Sequence, residues 1–265
     1  MNDRANPGPA NPQKGATPQP RWWARLLDPA SSAATRVQHE AKNVGGQVAP
    51  AWRRATSVES IVPAATAILV ALVLQLTLRE RVANHPRWIL PGVTTLLLIG
   101  VVVADRVRSG RHSPVVRAAI LLLIALLTAA NAASAFRLVN DLVNGQGIRD
   151  PAQLLLTGAA IWLTNVIVFG LWYWEFDRGG RAGRAAGTSY PSFLFPQMSD
   201  PAFAPPDWEP NFLDYLYTSF TNATAFSPTD VMPLSRWAKT AMGVQSMISL
   251  VIAVLVVARA VNILH

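Results

Sequence analysis

The sequence predicts an all-α integral membrane protein with about five transmembrane helices, a re-entrant pore-loop-like helix and a disordered N-terminal tail. Composition is the first reason: 51% of the 265 residues are hydrophobic and 14% are charged, whereas soluble domains carry about 25% charged residues. The second reason is that several uncharged stretches approach the roughly 20 residues that a helix needs to cross the hydrocarbon core of a bilayer. This composition argues strongly against a soluble enzyme.

The N-terminal region differs in composition from the rest of the chain. It is rich in Pro, Asn, Gln and Arg and has no apolar period, so it cannot bury enough surface to offset its ordering entropy. We therefore predict a disordered, basic, Pro-rich tail over 1–60 and a membrane domain over 61–265. Within the tail, 21–27 combines arginines with tryptophans and leucines, which is typical either of a segment lying among lipid headgroups or of an unstructured linker.

Five apolar segments are the predicted spans. Soluble helices of this length would need a polar face, and these segments have almost none. They cover 61–78, 88–104, 115–136, 152–174 and 238–263.

The distribution of basic residues predicts the orientation of the chain. Lys and Arg near span ends accumulate on the cytoplasmic side of a membrane. Counted near these five spans, they favour the side that holds the N-terminus by about two to one. The sequence therefore predicts a cytoplasmic N-terminus.

The region between the fourth and fifth spans contains two features of interest. The first is a basic, glycine-rich turn over 178–184, which lacks the spacing of a nucleotide-binding loop and which we interpret as a turn that holds anionic lipid headgroups. The second is an amphipathic run over 211–225 that is too short to cross a membrane and is followed by a proline-containing turn. Irregular backbone at membrane depth must be buried in protein or line water. We therefore predict a re-entrant segment over 211–233.

This re-entrant segment resembles the pore module of potassium channels. In that family a pore helix ends in threonines, and an aspartate and then a proline close the turn, as Asp230 and Pro233 do here. The resemblance implies pore or filter-like roles for Thr221, Thr224, Ser227, Thr229 and Asp230. Hydroxyl residues replace both filter glycines, and glycine is the residue that permits the φ > 0 conformations of such a filter. Potassium selectivity therefore does not carry over, and Asp230 is either a turn cap or part of a carboxylate ring at a cation entrance.

A second resemblance covers roughly 88–264. The motifs in 214–221 and 226–231, the pair Ser235-Arg236 and the final span are similar to the C-terminal signature of an uncharacterised bacterial inner-membrane protein family, a domain of unknown function. The resemblance implies a compact multi-span fold with a channel-like C-terminal hairpin in the bacterial inner (cytoplasmic) membrane. It implies no substrate.

Polar residues of the fifth span share one helix face. Met242, Gln245, Ser246, Ser249 and Ala253 lie on this face at i, i+3, i+4 spacing. The polar residues Gln245, Ser246 and Ser249 either pack between helices or line a polar cavity. The chain has no cysteine, and its four histidines lack zinc-ligand spacing. We accordingly expect no catalytic residues, no metal, no cofactor and no nucleic-acid partner.

Two functional hypotheses follow from the sequence. The first is a pore-forming, channel-like protein with weak cation preference and a degenerate selectivity filter. One such loop cannot encircle an axis, so this hypothesis requires a homo-oligomer of about four copies. The alternative is a non-conducting structural or partner-binding membrane protein whose pore-like hairpin is a packing motif. In both cases the lipid bilayer is the surrounding partner.

Overall fold

The computed structural model describes residues 53–78, 89–107, 114–145, 148, 150–200, 202, 204–205, 207–224 and 230–264. All of these residues belong to one compact unit, Pro50–His265. Most of these residues are helical and very few are in strands, which confirms the predicted predominantly helical fold. The predicted segment 21–27 and two predicted filter residues, Ser227 and Thr229, lie outside the described residues.

The described part of the chain contains eight α-helices. They are α1 Val62–Thr77, α2 Ile89–Val107, α3 Pro114–Val143, α4 Pro151–Phe176, α5 Gly180–Ala186, α6 Pro196–Ser199, α7 Phe212–Thr224 and α8 Arg236–Leu264. A 3₁₀ turn, Asp177–Gly179, joins α4 to α5, and a short antiparallel ladder pairs β1 (Phe193–Leu194) with β2 (Met232–Pro233).

Three of the described helices are long and apolar enough to cross a membrane. They begin at Pro114, Pro151 and Arg236, and α1 is a shorter apolar helix. The length and composition of these helices fit a membrane protein, as the composition of the whole chain predicts. The central helix is α4, because 72% of its most apolar 18-residue stretch is buried, against 28% of the corresponding stretches of α3 and α8. The outer helices present apolar side chains such as Phe136 and Met247 to the surroundings, which suits contact with lipid.

Local sequence signals explain where two of the helices begin. The Oδ1 atom of Asp150 accepts a hydrogen bond from the backbone N–H of Ala152 over 3.2 Å, with Pro151 in the first turn of α4. At the start of α7, the side chain of Asn211 accepts from the N–H of Leu213, and Asp214 Oδ2 accepts from the N–H of Asn211. Such side-chain acceptors satisfy N–H groups that have no partner within the helix.

One end of the bundle collects most of the described charged contacts, and we name it the charged end. Arg117 near the start of α3 pairs with Glu175 near the end of α4 over 3.0 Å. Arg181 in α5 pairs with Asp105 near the end of α2 over 2.8 Å and donates to the carbonyl of Glu59, just before α1. The N-terminal ends of α1 and α3 therefore lie beside the C-terminal ends of α2 and α4.

The hairpin, residues 212–233, enters and leaves the bundle at this charged end. At its start Phe212 contacts the Trp174 ring edge to face, with 5.7 Å between ring centroids. Further along α7, the hydroxyl of Ser219 reaches the carbonyl of Val166 near the middle of α4. The chain then returns to pair β2 with β1, just after Ser192, whose backbone N–H donates to Asp177. The described residues on both sides of the turn, the start of α7 and the strand β2, therefore lie at the charged end.

The helical unit begins before residue 61, where the sequence analysis placed its boundary. The backbone N–H of Thr56 donates to the carbonyl of Ala185 over 2.9 Å, and its hydroxyl donates to Glu209. Thr56 therefore contacts α5 and the segment before α7. These contacts are polar and come from distant parts of the chain, and the segment before α1 carries no apolar period of its own.

Candidate functional site

Gln245, a fully buried residue of α8, is at the centre of the hydrogen bonds that hold the hairpin against α4 and α8. Its Oε1 atom accepts hydrogen bonds from the Tyr173 hydroxyl over 2.6 Å and from Asn222 Nδ2 over 2.9 Å. Its Nε2 atom donates to the carbonyl and the hydroxyl oxygens of Ser219 over 2.9 and 2.7 Å. A glutamine amide offers two acceptor positions and two donor hydrogens, so all of its positions are used within the protein.

Further hydrogen bonds extend this network along α7 and α8. Asn222 Nδ2 also donates to the carbonyl of Met242 over 3.0 Å. The hydroxyl of Ser246 donates to the carbonyl and the side-chain oxygen of Asn222, both over 3.2 Å. Because Ser219 donates to Val166, three helices share one continuous network. We call the set Tyr173, Ser219, Asn222, Gln245 and Ser246 the hairpin network.

The last predicted cavity residue, Ser249, lies outside this network. Its hydroxyl oxygen accepts from Asn165 Nδ2 over 3.2 Å, and both side chains are almost completely buried. This contact joins α4 to α8 one turn beyond Gln245. The structure thus gives Gln245, Ser246 and Ser249 interhelical hydrogen bonds, which is the contact pattern of the packing interpretation.

The predicted filter residues that the structure describes lie at the end of the hairpin. The hydroxyl of Thr221 donates to the carbonyls of Tyr217 and Thr218, over 2.9 and 3.1 Å, and that of Thr224 donates to Phe220 over 3.0 Å. These bonds stay within α7, as threonine hydroxyls often do in membrane helices. Asp230 is exposed. Thr221 and Thr224 therefore share the last turns of α7, and their hydroxyl hydrogens are already used.

A second polar cluster, at the charged end, was not predicted from the sequence. Glu59 lies at its centre: Oε2 accepts from the indole N–H of Trp174 over 2.7 Å and from Arg184 over 3.1 Å. The other oxygen, Oε1, accepts from the backbone N–H of Phe212 over 2.7 Å. A carboxylate at a helix N-terminus is stabilised by the N–H groups there and by the helix dipole. Glu59 therefore ties the segment before α1 to α4, α5 and the start of the hairpin.

Arg184 is buried among aromatic rings in this cluster. Its guanidinium lies 5.4 Å from the ring centroid of Trp174 and 5.2 Å from that of Tyr215, distances at which cation–π attraction is significant. It also donates to the carbonyl of Trp174. Arg178 is equally buried and donates to the carbonyl of Arg184 over 3.3 Å. These two arginines of the turn therefore contact other groups of the protein, and the interpretation of the turn as a headgroup-binding site stays a prediction.

Asp177 completes the junction between α4 and the hairpin. Its side chain is fully buried and accepts from the Tyr215 hydroxyl and from the backbone N–H of Ser192, both over 2.6 Å. Phe193 packs on the same tyrosine ring with a centroid distance of 6.2 Å. Sequence reasoning missed this cluster because its partners are far apart along the chain. The one local signal was a run of acidic and basic residues directly after a very apolar span.

The chemistry of these groups is that of structural contacts. Within the described ranges, no group of three or more His, Cys, Asp or Glu side chains could hold a metal ion. Glu175 and Asp177 are buried and engaged by Arg117 and Tyr215 respectively. Burial raises the pKa of Asp214, and the hydrogen bond from the backbone of Asn211 opposes that rise. The described polar groups of the site therefore join helices to one another.

Comparison of this chain with protein-family models, with curated proteins and with solved structures finds no match. The resemblances to the potassium-channel pore module and to the uncharacterised bacterial family therefore stay predictions.

Proposed function

We propose that this protein is a non-conducting, multi-pass membrane protein with a structural or partner-binding role, in which the hairpin is a packing element. The hairpin network is the observation that supports this proposal. Gln245 is fully buried and uses both acceptor positions and both donor hydrogens on Tyr173, Ser219 and Asn222. A residue that coordinates ions or lines water in a pore needs polar atoms free to face the pathway.

The contacts of α7 support the same proposal. On its buried face Phe212 contacts Trp174 and Ser219 donates to Val166, both in α4. The ring of Phe220 lies edge to face against Trp162, also in α4, with centroids 6.0 Å apart. These are the contacts of a helix that fills a gap between α4 and α8. Hydrogen bonds between membrane helices are worth about 0.6 kcal/mol each on average, so several of them acting together fix the position of a short helix.

The finer architecture is part of the proposal. We infer five spans, with α1 and α2 as the first two, and a hairpin that enters the membrane from the charged end without crossing it. The basic residues near the span ends favour that end as cytoplasmic, which puts the N-terminus and the hairpin entrance on the same side. The family resemblance supports the bacterial inner membrane as the location.

A channel is the second candidate, and one observation favours it. The outer face of α7 exposes Leu213, Tyr217 and Thr224, and Asp230 is exposed after it. In a ring of about four copies this face would lie toward a common axis, with the carboxylates forming a ring that attracts cations. A single copy cannot enclose such an axis.

Oligomeric state separates these two candidates. We would measure the mass of the protein released from detergent micelles by native mass spectrometry, with an Asp230→Asn variant as the matched control. The proposal predicts a monomer or dimer, and it predicts that the variant has the same oligomeric state as the unmodified protein. A tetramer would contradict the packing role and favour the channel.

A further inference from the structure

A cleft between α3, α4 and α8 lies on the side of α8 away from the hairpin network. Its volume is about 460 Å³, within the roughly 300–1,000 Å³ of small-molecule sites. Its walls include Ala135, Val168 and Val251, and the small side chain on α3 leaves the space open. Phe136 and Met247 also line it and are largely exposed, 73% and 62%, so the cleft opens sideways toward the lipid.

Asn131 is an amide in this apolar cleft without a hydrogen-bond partner for its oxygen. It lines the cleft, its side chain is only 4% exposed, and its Oδ1 atom is buried and accepts no hydrogen bond from the described part of the chain. Asn165 also lines the cleft but donates to Ser249. Of these two polar groups, the amide of Asn131 is therefore the one left for a ligand.

The depth of Asn131 makes this arrangement costly. It lies within the third apolar segment, 115–136, and the bilayer interior holds no water for an amide to bond. Leaving a buried polar group unpaired costs about 1–3 kcal/mol in proteins. A ligand that pairs with the amide recovers that free energy, whereas a hydrocarbon chain in the same cleft does not.

We propose that this cleft binds a hydrophobic lipid alcohol, long-chain or isoprenoid, whose hydroxyl pairs with Asn131. A hydroxyl can donate to an amide oxygen, so it supplies the hydrogen-bond partner that Asn131 Oδ1 lacks among the described residues. The apolar body of the ligand lies against the alanine and valine walls, and it enters from the lipid between Phe136 and Met247. This inference is independent of the proposed role of the hairpin.

The test compares a lipid alcohol with its methyl ether, which has the same apolar body but cannot donate a hydrogen bond. Native mass spectrometry of the full-length protein in detergent would be titrated with dodecanol and with dodecyl methyl ether. We expect the alcohol to bind about threefold to tenfold more tightly, the ratio that one hydrogen bond of this kind provides. Equal affinity for the two probes overturns the proposal and assigns the cleft to ordinary acyl chains.

Two variants of α3 locate the effect. Asn131→Leu should abolish the preference for the alcohol while keeping affinity for the ether. The matched control, Ser134→Ala, removes a buried polar group of the same helix that does not line the cleft, and it should keep the preference. An alcohol preference that survives in Asn131→Leu contradicts the proposal. If that variant fails to fold, the comparison of the two probes on the unmodified protein still decides.

Discussion

Replacing Gln245 by leucine removes the centre of the hairpin network while keeping the volume of the side chain. Tyr173 is fully buried, and its hydroxyl loses its acceptor in this variant. An unpaired buried group of this kind costs about 1–3 kcal/mol. Ser219 keeps its bond to Val166 and Asn222 keeps its bond to Met242, so the other lost bonds cost less, about 0.6 kcal/mol each. We therefore expect Gln245→Leu to lower the free energy of unfolding by about 3–5 kcal/mol.

A double-mutant cycle identifies the source of this loss. Unfolding would be followed by helical circular dichroism while SDS is titrated into mixed micelles. Tyr173→Phe removes the hydroxyl that Gln245→Leu leaves without an acceptor. The double variant should therefore be more stable, by about 1 kcal/mol, than the sum of the two single changes predicts. The matched control is Thr240→Val on α8, whose exposed hydroxyl donates only to the carbonyl of Arg236, and it should change stability by less than about 0.5 kcal/mol. Additive effects, or a Gln245→Leu protein as stable as the control, would refute the reasoning.

Three further predictions concern other contacts. Glu59→Ala removes the acceptor shared by α4, α5 and the hairpin, so trypsin should cleave before α1 several times faster; an unchanged digestion rate would contradict that role. A Cβ at Gly158 would lie 2.8 Å from the methyl groups of Val256. Gly158→Ala should therefore lower the free energy of unfolding by roughly 1–3 kcal/mol, and adding Val256→Ala should recover part of that loss. Additive losses of stability in the double variant would contradict the close approach. Because the chain has no cysteine, Tyr190→Cys and Asn144→Cys can be labelled singly in sealed inside-out membrane vesicles. We expect an impermeant maleimide to reach the first and not the second, and the reverse pattern would invert the orientation.

The positions of the long apolar helices could be predicted from the sequence, because hydrophobicity summed over a bilayer's thickness is a strong local signal. The first predicted span, 61–78, contains α1 Val62–Thr77, and the fourth, 152–174, lies within α4 Pro151–Phe176. The predicted third span stops at 136, whereas α3 continues to Val143. A charged residue such as Arg137 ends an apolar window but not a helix, since arginine is a good helix former.

The charged end could not be predicted, because its contacts join residues that are distant along the chain. Glu59 and Phe212 are 153 residues apart, and nothing near either residue indicates the other. The hairpin network was partly visible: the polar face of the last span was recognised at Gln245, but one face of a helix does not reveal which groups lie opposite it. In the structure, Asn222 and Tyr173 lie opposite Gln245 and donate hydrogen bonds to it.

Ion flux through the purified protein tests the central claim most directly. The protein would be reconstituted into vesicles that hold a potassium gradient and a dye reporting membrane potential, beside protein-free vesicles and vesicles with the Asp230→Asn variant. Because Gln245 is fully bonded within the chain and the hydroxyls of Thr221 and Thr224 donate within α7, we predict the same flux in all three preparations. A cation flux well above that of protein-free vesicles, reduced by Asp230→Asn, would contradict the packing role of the hairpin.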